Sequence, residues 1–290
     1  MSRVAVMERM HARRSGTVAT ATRQLRMLAG AARQVLHSGR AGDTAVVLAY
    51  HDVVDGPASG LSVSLHQLNA HLGLLGRLGF RVVALDEMVA AWEHATSTGA
   101  SLGRLAAITF DDALVGVHHH ALDVLQAHRA PATIFAVSGC LGTEPPWWPG
   151  SARTMTKREL VEAAARPGIT VASHTHSHPS LPSLNEAQLQ RELTDSRGEL
   201  EDLLGRLVET VAYPYGHHNA VVRAATAAAG YRAGFTFLNG RLTGREDRYR
   251  LPRLTMVAAT AQWRVGLQLC RTAASWPDHQ AGEVLEGGPA

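Results

Sequence analysis

From residue 45 onward the chain alternates short, unbroken apolar runs with longer stretches in which apolar positions recur every three or four residues. The runs at 45–50, 81–85, 106–110, 132–137, 169–173, 210–213 and 251–257 predict strands, since a continuous apolar run suits a strand buried on both faces. Between them, 64–78, 86–95, 118–128, 156–165, 185–207 and 218–229 carry the helical period. Strand–helix alternation predicts an α/β fold with a mostly parallel sheet and right-handed crossovers. Seven or eight such units predict a single closed or nearly closed barrel over residues 44–260. Residues 1–43 are expected to form a basic helical extension. There Leu25, Leu28, Ala29, Ala32, Val35 and Leu36 share one helical face, and Arg23, Arg26, Arg33 and Gln34 the other. Residues 261–290 are expected to form a C-terminal helix and a tail rich in Gly, Pro and Glu. Residues 141–153, with Pro145-Pro146-Trp147-Trp148-Pro149-Gly150, predict a long loop of the kind that often carries function.

Composition narrows this picture in four places. With 290 residues, 46% of them hydrophobic and 18% charged, the chain suits one large core better than two small ones. It contains no apolar stretch of membrane-spanning length and no secretory leader pattern, so the expected location is cytoplasmic. Cys140 and Cys270 are too few for a disulfide framework and match no zinc spacing, so both are expected to be buried free thiols. The net charge of +3 conceals an asymmetry: residues 1–40 carry +7 and the remainder −4. A helix packed across the domain with solvated arginines accounts for the basic arm. Weak contact with an anionic membrane surface is the alternative. Nucleic acid is not an expected partner, because no aromatics interleave with the arginines.

Three stretches at predicted strand ends carry candidate chemistry. Ser173-His174-Thr175-His176-Ser177-His178-Pro179 follows the run at 169–173. His174 and His178 are four apart, so one helical turn or a tight loop would aim both rings at one ion. A continued strand would instead put all three histidines on one face. Asp111-Asp112 ends the run at 106–110, and adjacent carboxylates resist joint ionisation unless a cation or divided roles relieve them. A pair capping the next helix is the plain alternative. One carboxylate with two histidines makes three protein ligands and leaves an open position for water. Tyr213-Pro214-Tyr215-Gly216-His217-His218-Asn219 ends the run at 210–213, with Asn219 placed to cap the next helix.

Taken in order, Thr109-Phe110-Asp111-Asp112, Ser173-His174-Thr175 through His178-Pro179-Ser180-Leu181, Ala212-Tyr213-Pro214-Tyr215-Gly216 and Leu251-Pro252-Arg253-Leu254 resemble the polysaccharide deacetylase family (NodB homology, carbohydrate esterase family 4). The resemblance runs from about Tyr50-His51-Asp52 to Val257, and its last two motifs look more like the branch containing exopolysaccharide N-deacetylases with rearranged motifs than like chitin deacetylases. It implies a distorted (β/α)7-type barrel and a divalent transition metal, usually zinc, on Asp112, His174 and His178. It also implies Asp111 as general base and the Tyr215 backbone N–H as part of an oxyanion hole.

Three departures stand out. Ala113 replaces the family's glycine after the Asp pair, and Ala212 stands where an arginine that orients the base would be. Arg253 is the expected substitute for that guanidinium. No Leu-x-His follows near the C-terminus, where many members place the general acid. His51 is read either as its stand-in or as a structural histidine at a strand end.

Among lower-ranked candidates, His118-His119-His120 and His217-His218 are expected at solvated helix starts. Trp147 and Trp148 either stack on a sugar or pack their loop onto the barrel.

The resemblance implies removal of an N-acetyl group from an amino sugar or glycoconjugate, with release of acetate. Deacetylation or deformylation of a nucleotide-, lipid- or antibiotic-linked sugar is the alternative. Two further classes share the ligand types or the basic arm: an Fe(II) oxygenase using two histidines and one carboxylate, and a non-catalytic glycan-binding relative.

Overall fold

The computed structural model describes residues 44–260 together with residues 265, 266 and 269. The expected extension over 1–43, most of 261–290 and Cys270 lie outside the described residues. Ten strands occur among the described residues: β1 (Thr44–Tyr50), β2 (Val53–Val54), β3 (Val63–Ser64), β4 (Arg81–Val82), β5 (Arg104–Phe110), β6 (Ala132–Ala136), β7 (Ile169–Ser173), β8 (Thr210–Ala212), β9 (Ala233–Phe235) and β10 (Leu254–Thr255). Six helices connect them: α1 (Leu65–Arg77), α2 (Leu85–Thr98), α3 (Leu122–Ala127), α4 (Lys157–Ala164), α5 (Glu186–Leu204) and α6 (Ala220–Ala228).

The main sheet has the order β10-β1-β5-β6-β7-β8-β9, all parallel, with β4 paired to the start of β5. This is the distorted α/β barrel expected from the alternation of elements. Its ladder is open between β9 and β10. There the chain runs through irregular backbone that bonds Leu251 to Gly234 and Thr236 on one side and Leu242 to Ala45 on the other. The predicted strand at 251–257 therefore shrinks to two residues. β9 escaped the apolar-run pattern because Gly234 interrupts a three-residue strand. The predicted helix at 118–128 opens with a wide π turn over Val117–Ala121.

The strands alternate large and small residues across the sheet. Val46, Leu48, Tyr50, Ile108, Phe110 and Ile134 pack against α1 and α3 to α6, whereas Ala45, Val47, Ala107, Phe135, Ala172, Ala212 and Phe235 pack on the other face against Leu85, Met88 and Trp92 of α2. Each fully buried Val, Leu, Ile or Phe contributes about 1.5–3 kcal/mol. Helix starts are set locally. Ser64, Thr156 and Asn185 form capping boxes with Gln67, Glu159 and Gln188, each stabilising by about 1 kcal/mol. Among the described residues, no helix is long and apolar enough to cross a membrane.

Candidate active site

Side chains in a strand alternate faces, so the face that carries Ala107 and Thr109 on β5 continues to Asp111, that of Ala172 on β7 to His174, and that of Ala49 on β1 to His51. Because these strands are parallel, all three residues emerge at the same, C-terminal end of the sheet, where Tyr213–Gly216 also leaves β8. The backbone there is strained. Among the described residues six non-glycines have positive φ, and five of them, Asp112, Ala113, Thr175, His178 and Tyr215, lie in these loops. Such conformations persist only where surrounding structure enforces them, and they concentrate at functional sites. Ala113, at φ +52°, thus adopts the glycine-like conformation without being glycine.

Asp112, His174 and His178 converge, with one potential ligand atom of each lying within 4.8 Å of the others. His174 Nε2 is 3.7 Å and His178 Nε2 3.4 Å from Asp112 Oδ1, and all three side chains are buried. His174 Nδ1 is 2.7 Å from the Ala212 carbonyl, which can only accept, so Nδ1 carries the proton and Nε2 presents a lone pair to the carboxylate. Burial, reinforced by the Asp111 charge, pushes Asp112 up to about 8. Burial also pushes His174 down, and His178 down to about 2. Two neutral imidazoles and a carboxyl group that burial keeps from ionising alone meet here, and a divalent cation would favour the ionised carboxylate and engage a lone pair of each, so the donor set fits one. The linker between the two histidines is a tight loop with left-handed Thr175 and His178, neither a helical turn nor a continued strand. His176 points away and bonds Glu199 at 3.0 Å.

Asp111 faces Arg253, which arrives from the irregular segment just before β10. The two form a bidentate ion pair, Nη1–Oδ1 2.7 Å and Nη2–Oδ2 2.8 Å, with neither side chain exposed. Arg253 Nε donates to the Thr236 carbonyl and Nη1 to Thr109 Oγ1, which fixes the fork. Burial would raise the Asp111 carboxyl, but the Arg253 guanidinium and His174 outweigh it and hold it at about 2. Asp111 is therefore an ionised carboxylate beside a metal-type triad, and neither aspartate caps a helix.

His51 is buried, its Nδ1 has no hydrogen-bond partner among the described residues, and burial lowers it to about 4 against the pull of Asp111. It stacks on Phe237 at 5.7 Å and meets the Trp148 edge at 6.2 Å. Tyr215, at φ +58°, sits between Pro214 and Gly216 with its ring edge-on to His178 at 4.8 Å. Gly216 (φ +71°) is required here, because a Cβ would stand 2.6 Å from the Phe237 nitrogen. Asn219 caps α6 through Val222 N–H.

Several lower-ranked expectations are corrected. His218 is not a surface residue: it is fully buried, stacked on Tyr213 and bonded to the Gly216 carbonyl, because the turn folds it beneath the strand end. Cys140 is half-buried rather than buried, since it ends a short turn at the sheet rim. His118 and His119 lie near Glu159 as a second group of ligand types, but Arg153 holds both Glu159 oxygens at 2.7 and 2.8 Å and neutralises it. Phe237 lies outside the residues that the sequence pattern singles out. Its ring packs under the Arg253 guanidinium at 4.8 Å, and the available signal was the alternation of Tyr231, Phe235 and Phe237.

The parallel α/β barrel thus carries an Asp-His-His cluster and a buried Asp–Arg pair at the C-terminal ends of its strands. Residues 99–234 match the polysaccharide deacetylase family model, so that stretch carries a polysaccharide deacetylase domain. It is 26% identical over 208 residues to the putative polysaccharide deacetylase YxkH of Bacillus subtilis, covering 72% of this chain and 70% of that protein. It is also 26% identical over 155 residues to the poly-β-1,6-N-acetyl-D-glucosamine N-deacetylase of Staphylococcus aureus, spanning 51% of this chain and about half (52%) of that protein's length. In fold it is similar to IcaB from Ammonifex degensii, with a TM-score of 0.68 at 24% identity over 79% of this chain and 98% of that one.

Proposed function

We propose that the chain is a metal-dependent N-deacetylase that hydrolyses the acetamide of an N-acetylated amino sugar within a glycan, releasing acetate. The observation that carries this reading is the juxtaposition of the buried Asp112-His174-His178 cluster with an ionised, Arg253-clamped Asp111. In it, Asp112, His174 and His178 hold a divalent transition metal, zinc being the ion the ligand types suit best. When bound, such an ion polarises a carbonyl and acidifies water.

The protein's own groups supply the rest. Asp111, kept charged and oriented by the Arg253 fork, accepts the proton of the attacking water. The Tyr215 backbone N–H, set by the left-handed turn before Gly216, donates to the oxyanion that develops on the acetyl carbonyl. His51, neutral at pH 7 because of burial, receives the proton that Asp111 took from water and passes it to the leaving amine as the C–N bond breaks, so both side chains end as they began. The exopolysaccharide N-deacetylases among the relatives support an N-acetylglucosamine-containing polymer as the substrate class. Hydrolysis is favoured over dioxygen chemistry because Asp111 beside the triad provides a base that an oxygenase does not need.

The test is acetate release from a panel of N-acetylated oligosaccharides and monosaccharide derivatives, with and without chelator, and anaerobically. Release should be abolished by chelator, restored by Zn2+ and indifferent to dioxygen. Chelator-insensitive release contradicts the reading.

A further inference from the structure

His178 differs from His174 in how its ring is held. A metal-ligating histidine usually donates its second ring N–H to a fixed acceptor, which sets both tautomer and orientation. Ala212 does this for His174, but His178 Nδ1 is buried without a hydrogen-bond partner among the described residues. What holds the His178 ring is aromatic: Trp147 stacks on it at 4.2 Å and 17°, with the Tyr215 edge at 4.8 Å. The same Trp147 donates its indole N–H to Asp112 Oδ1 at 3.1 Å, the oxygen that faces both histidine Nε2 atoms. A carboxylate oxygen has two lone pairs, so one can accept from the indole while the other meets a cation.

The loop that carries Trp147 is anchored at its base. Met155 N–H donates to the Ala113 carbonyl at 2.7 Å, Val115 N–H to Arg153 at 2.9 Å, and Thr154 N–H to Thr143 at 2.9 Å. Nearer its tip, Gly150 N–H donates to Glu144 and Trp148 N–H to Pro145. The base is thus tied to the residues immediately after Asp112, and the indole is held over the cluster by backbone bonds.

We propose that Trp147 is a positioning residue of the metal centre, orienting Asp112 through its N–H and His178 through its ring. This rests on the metal-dependent reading above. The experiment is calorimetric titration of the metal-free full-length protein with Zn2+ alone, comparing wild type, Trp147→Phe and Trp147→Ala, alongside the thermal midpoint of each metal-free protein. Trp147→Phe keeps the stack and loses the donor, so its Zn2+ affinity should fall about 10-fold with the metal-free midpoint unchanged. Trp147→Ala loses both contacts, and its affinity should fall about 100-fold. Wild-type affinity in Trp147→Phe, or a loss matched by a lowered metal-free midpoint, overturns the proposal while leaving the metal reading intact. Absence of Zn2+ binding by the wild-type protein overturns the metal reading itself.

Discussion

Replacing Arg253 with methionine keeps the apolar stem and removes the guanidinium from a pair in which both partners are fully buried. Removing one member of such a pair leaves an uncompensated buried charge, and the loss should be about 3–5 kcal/mol. Part of that can be worked from Asp111, which is held at about 2 against an ordinary 3.8. That difference corresponds to about 2.5 kcal/mol of stability. Because the folded-state value is depressed, this contribution is present above the unfolded-state value and is lost as pH falls from about 4 through about 2. In Arg253→Met, burial acts unopposed by the guanidinium and lifts Asp111 above its ordinary range, which reverses the sign: the variant loses stability as pH rises through the new value. Urea denaturation between about pH 4 and pH 8 should therefore show the variant deficit widening with pH. The acid limb of kcat/KM for acetate release should move upward as well, so that activity falls most at neutral pH and partly returns in alkali. Asp111→Asn combined with Arg253→Met should recover much of the stability and none of the activity. Wild-type turnover at pH 7 by Arg253→Met, with an unchanged urea midpoint, would refute the reasoning.

Three further outcomes are expected. Asp111→Asn should lower acetate release by at least about 100-fold while Zn2+ affinity stays within a few-fold of wild type, since Asp111 is assigned to proton transfer and not to the ion. His51→Gln should lower kcat by about 100-fold or more with little change in KM, whereas unchanged kcat returns His51 to a structural role. Gly216→Ala should destabilise the fold by about 2 kcal/mol, measured by urea denaturation. Its φ of +71° disfavours a Cβ, and the new methyl meets Phe237 at 2.6 Å.

Most of the barrel was legible because its strands are buried on both faces and its helices are amphipathic, so each leaves its own period in the chain. The exceptions have local causes. β9 is three residues long with glycine at its centre, and β10 survives as two residues because the neighbouring backbone bonds Gly234, Thr236 and Leu238 instead of continuing the ladder. At the site, one carboxylate of Asp111-Asp112 could be grouped with His174 and His178 from residue type and position at strand ends, and the family resemblance implied Asp112 as that carboxylate. The choice among turn, loop and strand for 174–178 could not, because it depends on left-handed Thr175 and His178, which local propensity disfavours and tertiary packing enforces.

What the sequence determined by itself was the class of fold, a resemblance to the polysaccharide deacetylase family, and which residue types stand at the ends of β1, β5, β7 and β8. Periodicity and motif order are properties of neighbours along the chain. The family resemblance led to the expectation of Arg253 beside Asp111, 142 residues away, but only the tertiary structure decided that the pair is bidentate and fully buried, and that Trp147 meets Asp112 and His178. Those contacts arise because parallel strands bring distant loops to one end of the barrel. There burial removes competing water, and the partner each charge finds is set by geometry rather than by sequence distance.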